Sequence, residues 1–302
     1  MSDFKHLRRD QIDDERWNAT VRSDPFFRHY ALTYFLDACG GQWTGLVGPA
    51  YSWVWPLPIL KFPVSRVYQP LLAQQLGPFG TELSTDRLHE IWDWLSKEYW
   101  QLRIKFNQRY PSLPGKVVEH RNVELDLNTD LATLHSSYNR NVQSNLKKAA
   151  KNQVSVGSDP AFDPWSLHSF QEGRGQQLKQ LDQKFFKQVE TIYRAFEARE
   201  EARTYTAHHQ GVCVGQVMLL SANHRLLLFF SASNEEGRKV GAMHAILNKI
   251  IEDHAGASAV FDFEGSDNDQ LAFFYRGFGG TDKVYLQAET SRLFWPLNVL
   301  IK

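Results

Sequence analysis

The sequence predicts an α+β protein of two domains in tandem, residues 1–128 and 129–302, each with a mixed, largely antiparallel sheet flanked by helices. Two observations predict this class. In the second half, apolar runs separated by short glycine- or asparagine-containing turns indicate an antiparallel meander that leads into a strand-helix-strand crossover. In the first half, several short strands surround one amphipathic helix. A chain of 302 residues suits two domains of ordinary size or one large domain.

The composition is that of a globular protein without a strong charge bias. The 34 basic and 34 acidic residues balance, so any polyanion site must be local. Cys39 and Cys213 lie in apolar or strand surroundings, which favours free thiols over a disulfide, and no Cys and His cluster has zinc spacing, so we expect no metal. No apolar run follows Met1 or reaches the roughly 20 residues of a membrane span, so we expect a cytoplasmic protein without a transmembrane segment.

The first domain is the shorter one and is rich in aromatic residues. Seven of the nine tryptophans lie in the first hundred residues, and an aromatic core explains them better than stacking platforms for a sugar or base. The helix from Ser84 to Trp100 has one apolar face. Pro56 and Pro58 place their strand at an edge or a bulge. A short helix and five strands complete this domain: 30–38, then 42–47, 51–61, 67–72, 102–107 and 117–127.

The second domain begins with a basic helix from Leu131 to Gln153. Two helices follow between Pro164 and Arg199, broken near Arg174, which is either an anion contact or an ordinary loop residue. The meander is predicted to have three strands, at 202–209, 212–222 and 225–233. The crossover continues with a helix from 242 that stops near 256 and a strand at 259–263, and a last helix follows at 269–278.

The polar segment from Asn234 to Gly241 is predicted to be a turn between the last meander strand and a helix. Such a turn leaves amide N–H groups and the positive end of the helix dipole facing its interior, where a pyrophosphate commonly binds. Arg238 and Lys239 add positive charge. The alternative is an ordinary turn whose charges serve solubility.

This order of elements resembles the core of the GNAT acyltransferase superfamily. The phosphate turn of that family reads Gln or Arg, two residues, Gly, one residue, then Gly or Ala. Arg238 and Gly241 fit the first two anchors, whereas Met243 occupies the third.

The last helix also resembles its counterpart in the GNAT superfamily. In that counterpart an Asn lies seven residues before a Tyr, and a Gly-Phe pair begins four residues after the Tyr. Asn268, Tyr275 and Gly279 fall on this spacing. Gly280 replaces the Phe, and Leu271 stands where the family has Ala.

A closer resemblance is to the Fem-type branch, whose members carry two GNAT-like domains and pass aminoacyl groups from charged tRNA to peptidoglycan precursors. It implies an acyl-CoA or an aminoacyl-tRNA donor and a small-molecule or cell-wall-precursor amine acceptor, with tRNA as a partner. The similar segments are Tyr68–Pro70, Gln74–Gly77, Arg140, Lys147–Val154, Phe263–Ser266 and Phe274–Gly279.

The resemblance also implies where the donor lies. In the family, a backbone N–H polarises the acyl carbonyl where the two central parallel strands separate, which here is the end of Phe230–Ser233. The residues that this places around the donor are Ser233, Gly237, Arg238, Lys239, Gly241 and Asn268.

Two carboxylates near the predicted strand end are candidates for the base that removes the amine proton. Asp262 and Glu264 alternate with phenylalanines, so we expect both on one strand face, about 6 to 7 Å apart. Burying a carboxylate is costly unless it is paired. Glu264 is preferred because it is nearer the carboxyl end of the strand, where crossover folds bind ligands. The alternative is a salt bridge to Arg276 or a neighbouring lysine.

Tyr275 is the candidate acid, because it matches the family tyrosine that protonates a departing thiolate. The alternative is a core position, since the helix is aromatic throughout. If the donor were an aminoacyl ester, the leaving hydroxyl would need a stronger proton source, such as a lysine or the tRNA itself.

The basic helix lacks acidic residues from Leu131 to Gln153. Arg140, Lys147 and Lys151 share a face at helical spacing, which predicts a clamp for a phosphate-rich donor or acceptor. A solvated basic face is the alternative.

The sequence therefore favours an N-acyltransferase that moves an acyl or aminoacyl group to an amine. The competing hypothesis is a non-catalytic binding module with a decayed donor site, as Met243 and the missing Gly-Phe pair indicate.

Overall fold

The computed structural model describes residues 3–173 and 181–293, and these form two compact units. The first unit comprises residues up to His120 together with those from Val284 onward, and the second comprises Arg121–Lys283. The predicted boundary between residues 128 and 129 thus lies inside the second unit. Residues 287–291 pair with a strand at 101–105, a long-range contact that no local pattern reveals.

The described part of the first unit has three α-helices and a mostly antiparallel sheet. Its helices are α1 (Asp14–Ser23), α2 (Thr33–Ala38) and α3 (Thr85–Glu98). Its strands are β1 (Lys5–Arg8), β2 (Gln42–Val47), β3 (Trp53–Leu60), β4 (Arg66–Val67), β5 (Phe79–Gly80), β6 (Gln101–Lys105) and the end of β13 (Thr281–Ser291). The order is β1-β2-β3-β4-β6-β13, and β5 pairs with β3.

The core of the first unit is aromatic, as predicted. Trp53, Trp55 and Trp92 are 5%, 0% and 2% exposed. Pro56 and Pro58 lie opposite β2, while β4 and β5 pair only with the two ends of β3. The proline segment therefore has a strand partner on one side only, which tolerates the missing N–H groups.

The second unit contains the predicted meander and crossover. Its helices are α4 (Leu131–Ser136), α5 (Arg140–Lys151), α6 (Trp165–Gly173), α7 (Gln183–Glu197), α8 (Glu235–Val240), α9 (Ala242–His254) and α10 (Asp269–Arg276). Its strands are β7 (Lys116–Asp126, from Arg121 on), β8 (Ser155–Asp159), β9 (Ala202–His209), β10 (Val212–Ala222), β11 (Arg225–Ser233) and β12 (Val260–Asp262).

The strand order in the second unit is β7-β12-β11-β10-β9-β8. Among the described strands of this unit, only β11 and β12 run parallel to each other, since the chain returns through α9 between them. The apolar face of α9 lies in the core, where Ile246, Leu247, Ile250 and Ile251 are 0% exposed. The crossover thus places two parallel strand ends side by side in the middle of a largely antiparallel sheet.

Two of the segments predicted for the second unit have a different structure from the one expected. The single helix expected from Leu131 to Gln153 is divided into α4 and α5, because Asn139 caps a new helix by accepting the Val142 N–H. The polar turn expected from Asn234 to Gly241 contains the helix α8. Within the described residues, no helix is long and apolar enough to cross a membrane.

Candidate functional site

The two parallel strands of the second unit separate towards their carboxyl ends. Their register runs from Arg225 opposite Val260 to Leu227 opposite Asp262, where β12 ends, while β11 continues to Ser233. The pairing of β11 with β10 shifts between Leu228 and Phe230, which leaves Phe229 as an extra residue. Such a bulge bends its strand and increases its twist. The end of β11 therefore leaves the ladder with β12, as the family resemblance implied.

Glu264 lies just beyond β12 in a left-handed conformation. Its φ is 50°, a region that few non-glycine residues occupy. Its N–H donates to Asp262 Oδ1 at 3.1 Å, and its C=O accepts from Ser266 Oγ at 2.8 Å. The prediction that Asp262 and Glu264 alternate on one strand face is wrong, because the strand ends at Asp262.

Asp262 is 0% exposed and belongs to a buried ionic network. Its Oδ2 accepts from Arg225 Nε at 3.1 Å, and its Oδ1 accepts from Asn122 Nδ2 at 2.8 Å. Arg225 also pairs with the buried Glu124. A carboxylate that is enclosed and bonded in this way is a poor base for an incoming amine, so the geometry assigns Asp262 a supporting role.

Of the partners that the salt-bridge alternative offered, Arg276 binds Asp282 at 2.6 Å, and the salt bridge of Asp262 is made with Arg225 instead. Sequence reasoning missed Arg225. Its position at the start of an otherwise apolar strand could have indicated a buried ion pair, because a buried arginine needs a buried acid.

Tyr275 is buried, with 6% of its surface exposed. Its ring stacks on Phe263, with centroids 4.7 Å apart and planes inclined by 13°. Burial raises the pKa of the phenol, and the negative charge of Glu264 raises it further. Tyr275 therefore packs on the residue that precedes Glu264, and it keeps its proton at neutral pH.

The predicted donor turn is tightly packed. Asn234 caps α8 by accepting the Gly237 N–H at 2.8 Å, and Ser233 Oγ donates to Val214 C=O at 3.2 Å. A Cβ atom at residue 237 would lie 2.0 Å from Val214 O, so only glycine fits there. Gly241, with φ 81°, joins α8 to α9.

The two cations of this turn have local partners. Arg238 Nη1 donates to Ser233 C=O at 2.7 Å, and Lys239 lies 2.8 Å from Glu235. The six-residue helix α8 also begins with two acids, Glu235 and Glu236. These features oppose an anion at the start of α8.

The helix α9 begins directly after this turn. Its N-cap residue, Gly241, has no side chain that could cap the first N–H groups of this 13-residue helix. Met243, at the third family anchor, is half-buried and packs against the core of the unit. Burial, followed by the charge of Lys148, lowers the pKa of nearby His244 to about 4.

Asn268 caps α10, and its Oδ1 accepts from the N–H groups of Gln270 and Leu271. That oxygen is thus committed to the helix. Arg174 lies outside the described residues. Among the residues that the structure describes, no group of three His, Cys, Asp or Glu could hold a metal ion.

The basic residues of α5 lie opposite its buried stripe of Val142 and Ala149. Arg140, Lys147 and Lys151 are exposed, and no ion pair is found for them among the described residues. Lys151 lines a cleft of about 400 Å³ with His208 and His209, whereas Lys147 lines another of about 320 Å³ with Tyr138 and Asn248.

The basic helix also contacts the donor turn. A Cβ atom at Gly241 would lie 2.8 Å from Asn145 O of α5. The structure thus brings α5 to the start of α9, although its two outer lysines line different clefts.

Comparison with known proteins places these features in a family context. Residues 136–270 match a family model described as an acetyltransferase (GNAT) domain. A search by sequence finds no match among curated proteins.

Solved structures share the fold of nearly the whole chain. FemX has a TM-score of 0.65 and 14% identity, covering 98% of this chain and 99% of FemX. The C-terminal domain of a putative lysylphosphatidylglycerol synthetase from Agrobacterium fabrum has a TM-score of 0.53 and 11% identity, covering 95% of this chain and 94% of that domain. A tandem GNAT protein from the clavulanic acid biosynthesis pathway has a TM-score of 0.50 and 14% identity, covering 96% and 98%.

Proposed function

We propose that this chain, which has the tandem GNAT fold that it shares with FemX, is an N-acyltransferase of the Fem type. It moves an acyl or aminoacyl group from an acyl-CoA or an aminoacyl-tRNA to an amine acceptor. The observation that carries the proposal is the separation of β11 from β12, with Glu264 and Tyr275 together beside the end of β12.

Each part of this arrangement has a role in acyl transfer. A backbone N–H in the separated part of β11 polarises the acyl carbonyl, as oxyanion-hole donors do. Glu264, half-buried, accepts the amine proton. Tyr275, protonated at neutral pH, donates a hydrogen bond or a proton to the leaving group.

The charge distribution favours an aminoacyl-tRNA over acyl-CoA as the donor. Arg238 and Lys239 are held by Ser233 and Glu235, so they add little to a diphosphate site. The cations of α5 are exposed and suit a long polyanion, whose binding is dominated by phosphate contacts. The name of one structural neighbour, a putative lysylphosphatidylglycerol synthetase, also refers to an aminoacyl product.

The alternative function is a binding module that retains the fold without catalysis. The local pairing of Arg238 and Lys239 and the acidic start of α8 support it, because they weaken the donor turn.

Ligand-induced stabilisation distinguishes these donors. The melting temperature of the purified protein is measured with acetyl-CoA, free CoA, a charged tRNA pool and the same pool after deacylation, because a ligand that binds the native state stabilises it. We expect the charged pool to raise the melting temperature more than the deacylated pool. A shift with the CoA compounds alone would mean that the donor is an acyl-CoA. No shift with any of the four ligands would favour the binding module.

Turnover then separates an enzyme from a binder. Transfer of a labelled aminoacyl group to an amine is measured for the wild type and for Glu264→Gln, which keeps the size of the side chain and removes the base. We expect turnover to be lost while stabilisation by the donor stays nearly intact. Equal loss of both would mean that Glu264 serves the fold.

A further inference from the structure

Both backbone polar groups of Glu264 are bonded to buried side chains. Its N–H donates to Asp262 and its C=O accepts from Ser266. Asp262 and Ser266 are each 0% exposed, so water does not compete for these bonds. Together they hold Glu264 at φ 50°.

Asp262 is itself fixed from two neighbouring strands. Arg225 of β11 and Asn122 of β7 donate to its two different oxygens, at 3.1 and 2.8 Å. Charge-assisted hydrogen bonds are among the strong ones in proteins. The carboxylate that anchors Glu264 therefore has little freedom to rotate.

Arg121 holds the rest of the loop. Its N–H donates to Asp267 Oδ1 at 3.0 Å, its Nε donates to Ser266 C=O at 3.0 Å, and its Nη2 lies 2.6 Å from Asp269. Ser266 is thus fixed through its carbonyl as well as its hydroxyl.

The residue type at position 264 is informative. Gly265, with φ 58°, supplies glycine at the next left-handed position, as a loop with only a turning role does. Glu264 occupies its left-handed position despite the steric cost to a side chain. The carboxylate, and not the turn alone, accounts for glutamate there.

We propose that Asp262 and Ser266 are positioning residues, which hold the backbone of Glu264 in its left-handed conformation and thereby fix where its carboxylate lies. The effect of this restraint on catalysis rests on the proposed function of Glu264. The restraint on the backbone is independent of that function.

The test uses Ser266→Ala with Ser166→Ala as its matched control. Both serines are 0% exposed, but Ser166 Oγ has no hydrogen-bond partner among the described residues, so only Ser266→Ala removes a bond to Glu264. Asp262→Ala is the stronger variant. However, Asp262→Ala leaves the buried Arg225 with less counter-charge, which can prevent folding. Ser266→Ala keeps the test valid if the Asp262→Ala protein does not fold.

Two measurements are made on the full chain. Amide hydrogen exchange of the segment around Glu264 should lose protection in Ser266→Ala and stay at the wild-type level in Ser166→Ala. The kcat of acyl transfer should fall between about 10-fold and 10²-fold in Ser266→Ala with KM unchanged, because small misplacements of a reacting group cost rate.

The outcomes test the positioning role separately from the proposed acyltransferase function. Wild-type protection in Ser266→Ala, or equal falls of kcat in both serine variants, overturns the positioning role. If the wild type transfers no acyl group, the proposed function fails, while hydrogen exchange still decides whether Ser266 restrains Glu264.

Discussion

The ring of Tyr275 stacks on Phe263, the residue before Glu264, with the ring centroids 4.7 Å apart. Burial makes the larger contribution to the raised pKa of Tyr275, and the charge of Glu264 adds to it. Glu264 follows the end of β12 and Tyr275 lies within α10, so the fold brings a base candidate and an acid candidate to the same end of the strand.

This relationship predicts a specific dependence of stability on alkaline pH. The ordinary pKa of tyrosine is 10.0, and the folded value of Tyr275 is higher. A group with a raised folded pKa contributes stability that is complete below its unfolded pKa and is lost as the pH rises through the folded pKa. Above about pH 10, the wild type should lose up to about 1.4 kcal/mol per pH unit more than Tyr275→Phe.

Urea unfolding at a series of pH values checks this prediction. Other buried tyrosines lose stability equally in both proteins, so the difference reports Tyr275 alone. Glu264→Gln should reduce the difference without removing it, since the carboxylate is the second cause. Parallel curves for the wild type and Tyr275→Phe would contradict the assignment.

The left-handed backbone of Glu264 predicts a rank order of stability at that position. Glycine adopts φ 50° without steric cost, whereas alanine retains the strain and loses the side chain. Glu264→Gly should therefore be more stable than Glu264→Ala by about 1 kcal/mol. Both should be inactive. Thermal or urea unfolding measures the order, and greater stability of the alanine variant would mean that the left-handed conformation is not maintained in solution.

Local sequence patterns were sufficient to predict the three strands of the meander. The predicted strands at 202–209, 212–222 and 225–233 match β9, β10 and β11 residue for residue. These strands alternate or run apolar between clear turn residues, so local periodicity and tertiary packing agree. The polar helices α1 and α8 were missed because few of their residues are buried and no apolar period marks them.

The site itself depended on long-range pairing that a sequence pattern does not contain. Asp262 and Glu264 seemed equivalent on an alternating strand, but β12 ends after three residues and the chain turns left-handed. The ionic partner of Asp262 is Arg225, 37 positions away. Only the sheet register brings them together.

Half-buried, neutral His244 predicts that the protein loses stability in acid. Burial, with a smaller effect of Lys148, lowers its pKa from 6.5 to about 4. The unfolded chain therefore binds a proton before the folded one does, and stability falls as the pH drops from 6.5 towards 4. His244→Asn should flatten this decline by up to about 1.4 kcal/mol per pH unit, as measured by urea unfolding. An unchanged slope of stability against pH would mean that another group takes up the proton.

The close approach at Gly237 predicts a severe packing defect on substitution. A Cβ atom there would lie 2.0 Å from Val214 O and 2.5 Å from Ser233 Oγ, so β10, β11 and α8 would have to move apart. Gly237→Ala should destabilise the protein by about 2 kcal/mol or more. Gly157→Ala is the control, since no atom lies within 4 Å of its Cβ position. Similar melting temperatures for the two variants would show that the turn adapts.

The exposed cations of α5 predict how binding of a polyanion depends on salt. Each lysine that contacts a phosphate releases a counterion, so replacing Lys147 and Lys151 by Gln should weaken tRNA binding and reduce the slope of log K against log salt by about 0.7 to 0.9 per lysine. The control replaces Lys239 and Lys249, which carry the same charge but pair with Glu235 and Asp253. Binding is measured at several salt concentrations. A slope that changes equally in both double variants would assign the effect to net charge, and an unchanged slope would show that tRNA does not contact α5.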